Sequence, residues 1–376
     1  MTFGWVIQNS SGFLAFKRWW RRLREYRKAL QFAIACYFLD RRQSNEPFDP
    51  ALAKRVAVFR WDDKLGDTIM ATLFVDALSK ARPDIDIVYI TGKQGRSLLQ
   101  FWTPITQLVV VGRRGWKTAW GLRRIESGFD VVVELSSGMS AYELFALRQL
   151  RGRHYLGYQK QGYKLFDLNV ADEHRHFAKR YLAAAALVAG KEVSGEFYLP
   201  DPGPAEDIVA QYVGAKPAGT HRVLINLFAA GKHRSFNMLD AYKFLNWWLE
   251  TWPNVYIMLL TVPGRDAQLE ELVARIGSAR LDRTPGPPSI ELTLAMIGAA
   301  DLVVSPDTAL VHMVAALDRP QIAIYRQQGP EFDAWHPVSK NTHVLFNKPA
   351  TSRFDRPVAA DFSWSDLQTK VNELLK

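Results

Sequence analysis

The chain is poor in cysteine, in long apolar runs and in the glycine-rich signatures of nucleotide chemistry. Cys36 is the only cysteine among 376 residues. That excludes an intramolecular disulfide and a cysteine-built zinc site, and it fits a reducing compartment. The apolar run from Ala29 to Leu39 is shorter than the roughly 20 residues that cross a bilayer. It also runs into Asp40-Arg41-Arg42 with no small-residue cleavage site, which argues against a signal peptide. No G-x-x-x-x-G-K-[ST] loop and no G-x-G-x-x-G fingerprint occurs. The G-x-S-x-G elbow and the H-E-x-x-H helix are missing too. No repeat of 20–50 residues and no low-complexity tract is visible.

What is present describes a globular protein, with 48% hydrophobic and 23% charged residues and enough length for two cores. The net charge is +10 and the pI about 9.6, which points to an anionic partner: nucleic acid, anionic lipid or a phosphorylated substrate. Residues 1–50 hold nine Lys or Arg against four Asp or Glu, half of that excess. Residues 13–42 read as one helix, with Phe13, Phe16, Trp20, Leu23, Leu30, Ile34 and Tyr37 roughly on one face. Lys17, Arg18, Arg21, Arg22, Arg24, Arg27 and Lys28 crowd its first half. A basic helix with Trp and Phe beside the charges suits a membrane surface. The competing reading is a helix packed on the body with its charges in water, and the adjacent tryptophans tip the balance toward the membrane. Nucleic-acid binding rests on net charge alone, without a recognisable motif. Residues 45–50 then form a linker.

The rest of the chain is organised around Arg55 to Met70. Val56 to Phe59 is a short apolar run, Asp62, Asp63 and Gly66 supply turn chemistry, and Ile69, Met70, Leu73, Phe74, Ala77, Leu78 and Ala81 recur at helical spacing. Strand, polar loop and helix make the first half of a βαβ unit, and ligands of open α/β sheets sit where such loops leave the strands. Asp67 stands at that mouth. It is either a helix cap or a functional carboxylate, and Gly66 beside it permits a close approach. Strands and helices continue to alternate up to about residue 190, with strands at 85–91, 107–111, 129–135 and 154–157. Leu199 to Pro204 breaks the pattern. A second series follows, with strands at 223–228, 255–261, 302–304 and 321–325, and Ser363 with Asp366 suggests a capped terminal helix. The expected domains are therefore 1–50, 51–200 and 201–376, with two α/β bodies of similar size facing each other across a cleft.

Two loops of the second body could carry chemistry. Ser305-Pro-Asp-Thr-Ala-Leu-Val-His312 follows a strand and opens a helix, whose first-turn amides and dipole suit a phosphate. Asp307 or Thr308 can cap it, and Thr308 and His312 share a face. Read alone, His312 is a partly buried helix histidine satisfied by a carbonyl; beside a capped strand-end helix the ligand reading draws level with that one. Phe228 to Phe236 is a turn carrying Lys232, His233 and Arg234, either a solvated basic loop or a clamp for a diphosphate. Asp84-Ile85-Asp86 resembles a metal-binding D-x-D but opens a strand, the wrong end for a ligand.

At these loops the chain resembles glycosyltransferase family 9, whose best-known members are ADP-heptose:lipopolysaccharide heptosyltransferases. The matching stretches are Arg60 to Asp67, Phe228 to Phe236 and Ser305 to Ala316. The resemblance implies a GT-B fold: two Rossmann-like domains with parallel sheets facing across a cleft. It implies inverting transfer of a sugar, heptose by analogy, from a nucleotide diphosphate such as ADP-heptose to a lipopolysaccharide-type acceptor at the inner face of the membrane. Neither metal nor cofactor is implied. Asp67 matches the position of the general base. Arg234, Lys232, Asp307, Thr308, Ala309 and His312 fall at the donor site. Ala309 departs from the glycine often found there, and Ser235-Phe236 replaces an Arg-Trp-like pair. Residues 1–50 lie outside the match. The alternative is a catalytically silent protein that binds sugar nucleotide or glycolipid as a scaffold.

Overall fold

The computed structural model describes residues 11–126, 128–173, 175–231, 234–348 and 360–375, without the side chains of 11–15, 17 and 18. Lys232 and His233 therefore lie outside the described residues.

Two six-stranded parallel sheets form the body. The first contains β1 (Arg55–Arg60), β2 (Asp86–Thr91), β3 (Gln107–Val110), β4 (Val131–Glu134), β5 (His154–Tyr158) and β6 (Leu168–Val170). The second contains β7 (His221–Ile225), β8 (Val255–Leu259), β9 (Leu281–Arg283), β10 (Leu302–Pro306), β11 (Gln321–Tyr325) and β12 (Thr342–Phe346). Strand orders are β3-β2-β1-β4-β5-β6 and β9-β8-β7-β10-β11-β12, the same layout twice. In each, the order reverses beside the first strand, where β1 pairs with β2 and β4, and β7 with β8 and β10. Crevices at such reversal points hold ligands in open α/β sheets. Strands buried on both faces explain runs such as Val56 to Phe59 and Val131 to Val133.

Helices cover both faces. On one side of the first sheet lie α1 (Ser11–Leu39), α4 (Trp116–Gly121) and α5 (Ala141–Leu150); on the other lie α2 (Leu65–Ala81) and α6 (Phe177–Ala189), with the short α3 (Lys93–Leu99) beside them. The second sheet carries α7 (Ala205–Gly214) and α10 (Ile290–Ala299) on one face. Its other face carries α8 (Met238–Thr251), α9 (Asp266–Ile276) and α13 (Trp364–Leu374). Two helices, α11 (Ala309–Ala316) and α12 (Pro330–Trp335), follow β10 and β11. One core cluster continues from β1, α2 and α6 into α7, β8 and α10, so the two halves share buried apolar surface. Leu199 to Pro204 leads straight into α7. Just before it, Tyr198 stacks on Trp102 at 4.3 Å, and its amide donates to Thr72 Oγ1 at 3.0 Å.

The short elements β6, β9, β12 and α12 carry too little periodicity to be read from the sequence; α7 is not among the expected helices either, although Ile208, Val209, Tyr212 and Val213 recur there at helical spacing. Helix α4 ends at Gly121 and tightens into a 3₁₀ turn over Leu122–Arg124. Ser363 does cap α13, accepting from the Asp366 amide. Asp84 is taken up by Arg82 and Lys54 at the entry to β2.

The long N-terminal helix divides. Ala35 is buried, and Phe32, Cys36 and Leu39 pack with it against the core beneath α5. Phe16, Trp20, Leu23, Leu30, Ile34 and Tyr37, the face expected to be apolar, point to solvent together with Trp19, Tyr26 and Phe38. Phe13 has no described side chain. Among the described residues no helix is long and apolar enough to cross a membrane.

Candidate active site

The loop after β1 turns at Asp63, a non-glycine residue with φ of 54° whose carboxylate accepts from the Gln94 amide at 2.7 Å. The helix therefore starts at Leu65. Lys64 occupies the cap position without a side-chain bond. Asp67 sits inside the first turn of α2, so the capping reading of this residue does not hold. Its carboxylate instead accepts a hydrogen bond from Arg60 Nη2, and the same guanidinium reaches Asp62 Oδ2 at 2.9 Å. Lys64 Nζ is 4.0 Å away on the open side.

All three members of this triad are largely buried. One guanidinium cannot neutralise two carboxylates, so removing both from water leaves an unpaired negative charge. Burial pushes the Asp67 carboxyl up to about 7, against the pull of Arg60 and with the neighbouring Asp62 adding to the push. Asp62 goes the other way, because the attraction of Arg60 and its bond to Asp67 outweigh its own burial. A carboxyl titrating near neutrality, at the mouth of a strand, is suited to accept a proton.

The facing wall comes from the second half. Thr308 is the N-cap of α11, its hydroxyl accepting from the Leu310 amide. Asn226 at the end of β7 donates to Ser305 Oγ at 3.1 Å and accepts from the Phe228 amide, which joins the two strand-end loops. Asp307 does not cap; it forms an ion pair with Arg234 Nη1 at 2.6 Å. The Arg234 side chain remains more than a third exposed while holding this ion pair. His312 is buried, and burial depresses its ring to about 4, keeping it neutral at pH 7. Its Nδ1 has no hydrogen-bond partner, so the expectation of a carbonyl-satisfied histidine fails there.

The two walls touch. α2 packs against α11, and a Cβ on Gly66 would fall 2.9 Å from His312 Cδ2 and 3.6 Å from the Ala309 Cα. The close approach that a glycine before Asp67 permits is thus made by the opposite half of the chain. Trp335 at the end of α12 stacks on Phe177 at 3.8 Å and comes within 6.5 Å of His312. The Arg60 guanidinium lies 5.8 Å from the Phe177 ring and 6.0 Å from that of Trp335. Beside them His176 Nδ1 accepts from the Ala178 amide, so its Nε2 carries the proton and donates to the His336 carbonyl at 2.8 Å. Arg60, Asp62, Asn226, His176 and Trp335 were not singled out as functional from the sequence. Arg60 and Asp62 stood within the matching stretch, but nothing in the order of residues reveals a shared guanidinium. Among the described residues, no group of three or more His, Cys, Asp or Glu could hold a metal ion.

Comparison with known proteins bears on the fold that carries this site. Residues 260–360 match the model of glycosyltransferase family 9 (heptosyltransferase). The chain is 23% identical over 334 residues to the putative lipopolysaccharide heptosyltransferase 4 of Escherichia coli (strain K12), covering 86% of this chain and 89% of the relative. Among solved structures, a family 9 glycosyltransferase from Veillonella parvula superposes with a TM-score of 0.67 at 15% identity, over 86% of this chain and 97% of that one. The ADP-heptose lipopolysaccharide heptosyltransferase II of E. coli gives 0.62 at 17%, over 86% and 98%. E. coli heptosyltransferase WaaC, solved with ADP, gives 0.61 at 17%, over 85% and 99%. The fold is the GT-B fold of these structures, and the chain is similar to glycosyltransferases of family 9 of the heptosyltransferase type.

Proposed function

We propose that the protein transfers a heptose, with inversion and without a metal or other cofactor, from a nucleotide diphosphate such as ADP-heptose to a hydroxyl of a lipopolysaccharide-type acceptor. The observation that carries this reading is Asp67: a buried carboxyl raised to about 7, one residue from the contact between the two walls. In this mechanism Asp67 takes the proton of the acceptor hydroxyl as that oxygen bonds to the anomeric carbon. The bond to the diphosphate breaks on the opposite face, and the electron pair leaves on the phosphate oxygen. The developing charge is met by the first-turn amides of α11 and by Arg234, donors fixed in place before the reaction. Lys232, outside the described residues, would add to them. Thr308 and Ala309 set the start of that helix, Asp307 orients Arg234, and neutral His312 offers its unpartnered ring nitrogen to the donor. E. coli WaaC has been solved with ADP and with an ADP-heptose analogue, and the shared fold makes a similar donor the reasonable choice here.

The exposed aromatic and basic half of α1 would hold the enzyme at the cytoplasmic face of an anionic membrane, where such an acceptor resides. Asp67→Asn tests the catalytic reading. Since Asp67 is not a cap, the variant should melt near the wild-type temperature and still bind ADP. Its turnover should fall by at least about 10²-fold, the lower range for a lost general base. A stable variant with near-normal turnover would remove Asp67 from the mechanism.

A further inference from the structure

A chain of aromatic rings leads out of the candidate site along the first half. Trp61, directly before Asp62, lies 5.9 Å from Tyr142. Tyr142 lies 6.4 Å from Trp116, and Trp116 lies 5.6 Å from Phe145, whose ring stacks parallel on Trp120 at 6.0 Å. Trp61 is buried at the inner end, whereas Trp116 and Trp120 are about half exposed at the outer end. The strip is built from three loops or helices at one end of the sheet: the turn after β1, helix α4, and helix α5, which opens with a Ser140–Glu143 capping box.

Basic side chains accompany the rings. Residues 112–125 contain Arg113, Arg114, Lys117, Arg123 and Arg124 and no acidic residue. Arg114 stands 6.0 Å from both the Trp61 and the Tyr142 rings, paired with Glu143, and its charge helps to lower the Asp62 carboxyl. The Arg123 guanidinium lies 4.1 Å from the Trp120 ring centre. Half-exposed tryptophans are rarely left in water without a use, because each forfeits a large apolar burial. Planar rings offer their faces to the C–H side of a pyranose, and arginine forks match carboxylate or phosphate oxygens.

From this geometry we infer that the strip from Trp61 to Trp120 is the acceptor track: sugar rings of an anionic glycan stack on Tyr142, Trp116 and Trp120, and Arg113, Lys117 and Arg123 meet their acidic substituents. This rests on the transfer reading above and specifies where its acceptor lies. The occupant is the carbohydrate, not the phospholipid surface. The inner end of the track adjoins Asp62 through Trp61 and through Arg114, whose charge acts on that carboxyl, while the exposed face of α1 is a separate element.

The test uses full-length protein and a soluble probe, the O-deacylated lipopolysaccharide of a strain lacking core heptose. Calorimetric titration measures its binding directly, and ADP titration in the same samples reports the donor side. The double variant Trp116→Ala/Trp120→Ala removes two half-exposed rings with their contacts to Tyr142 and Phe145, and ADP affinity reports whether the fold survives. Loss of two stacking rings should weaken glycan binding about tenfold or more and raise the acceptor KM likewise. ADP affinity should stay within about twofold. Unchanged glycan affinity and acceptor KM would overturn the track. So would a variant that loses anionic phospholipid vesicles while keeping the glycan. Wild type that binds the glycan through these rings yet transfers nothing would leave the track standing and defeat the transfer reading instead.

Discussion

The Cβ that Gly66 lacks would stand 2.9 Å from Cδ2 of His312, so the two halves meet at a point where no side chain larger than hydrogen fits without displacement. Gly66→Ala therefore sets two effects against each other. Alanine favours the helix by up to about 1 kcal/mol, but overpacking the contact costs about 1–3 kcal/mol, so the net change in stability should be a small loss. The added methyl pushes α11 away from α2, and a 1 Å misplacement costs on the order of 10²-fold in rate. Turnover should fall about tenfold or more, well beyond what that small loss accounts for. Normal turnover in this variant would mean that the contact is not part of the working geometry.

Asp67 gives a pH dependence of known sign. A base raised to about 7 must lose its proton to act, so turnover should climb as pH passes through about 7. Stability moves the opposite way. The folded state holds this proton more tightly than the unfolded chain, so the stabilisation is fully present below the ordinary carboxyl pKa and is lost as pH rises toward 7. Asp67→Asn should flatten both curves over that window. Asp62, lowered instead, contributes stability above the ordinary carboxyl range that disappears in stronger acid. Urea melts at several pH values read the stability, and kcat against pH reads the rate.

Arg60→Met leaves two buried carboxylates without their shared cation. Breaking a buried pair by removing one partner costs about 3–5 kcal/mol. The urea midpoint of the variant should fall accordingly, and its rate profile should shift toward higher pH because Asp67 becomes harder to ionise. An unchanged urea midpoint would show that the guanidinium is dispensable to the fold.

The membrane reading needs a test other than deletion. Removing α1 would also take Phe32, Ala35, Cys36 and Leu39 out of the core beneath α5. Changing Arg21, Arg22 and Arg24 to Gln touches only exposed residues. Each basic residue near an anionic surface contributes about 1 kcal/mol, so vesicle affinity should drop by roughly a hundredfold at low salt while soluble-acceptor kinetics stay the same. Co-sedimentation with phosphatidylglycerol vesicles measures it. Equal binding by variant and wild type would leave α1 without an electrostatic role.

What the sequence made legible was the local half of each site. Thr308 and His312 could be placed because a buried strand, a polar turn and a helical spacing fall within eleven residues. The position of Asp67 was legible too, but not its role as a non-capping residue. The left-handed turn at Asp63 starts α2 two residues ahead of Asp67, and no residue pattern announces it. The aromatic clasp escaped because Phe177 and Trp335 are separated by most of the second half, and α12 is a single short helix. Long-range pairing of this kind is settled by how two folded bodies meet.

The wall formed by Trp335 and Phe177 against Arg60 also ties proton affinity to conformation. Water reaching Asp67 through a parted cleft would relax its carboxyl toward ordinary acidity, and so make it a poorer proton acceptor. With the halves together, as they stand here, burial keeps the carboxyl near 7. Any parting of the halves would therefore release a proton in mildly acidic solution. Under the proposed mechanism Asp67 would be the better proton acceptor in the closed arrangement.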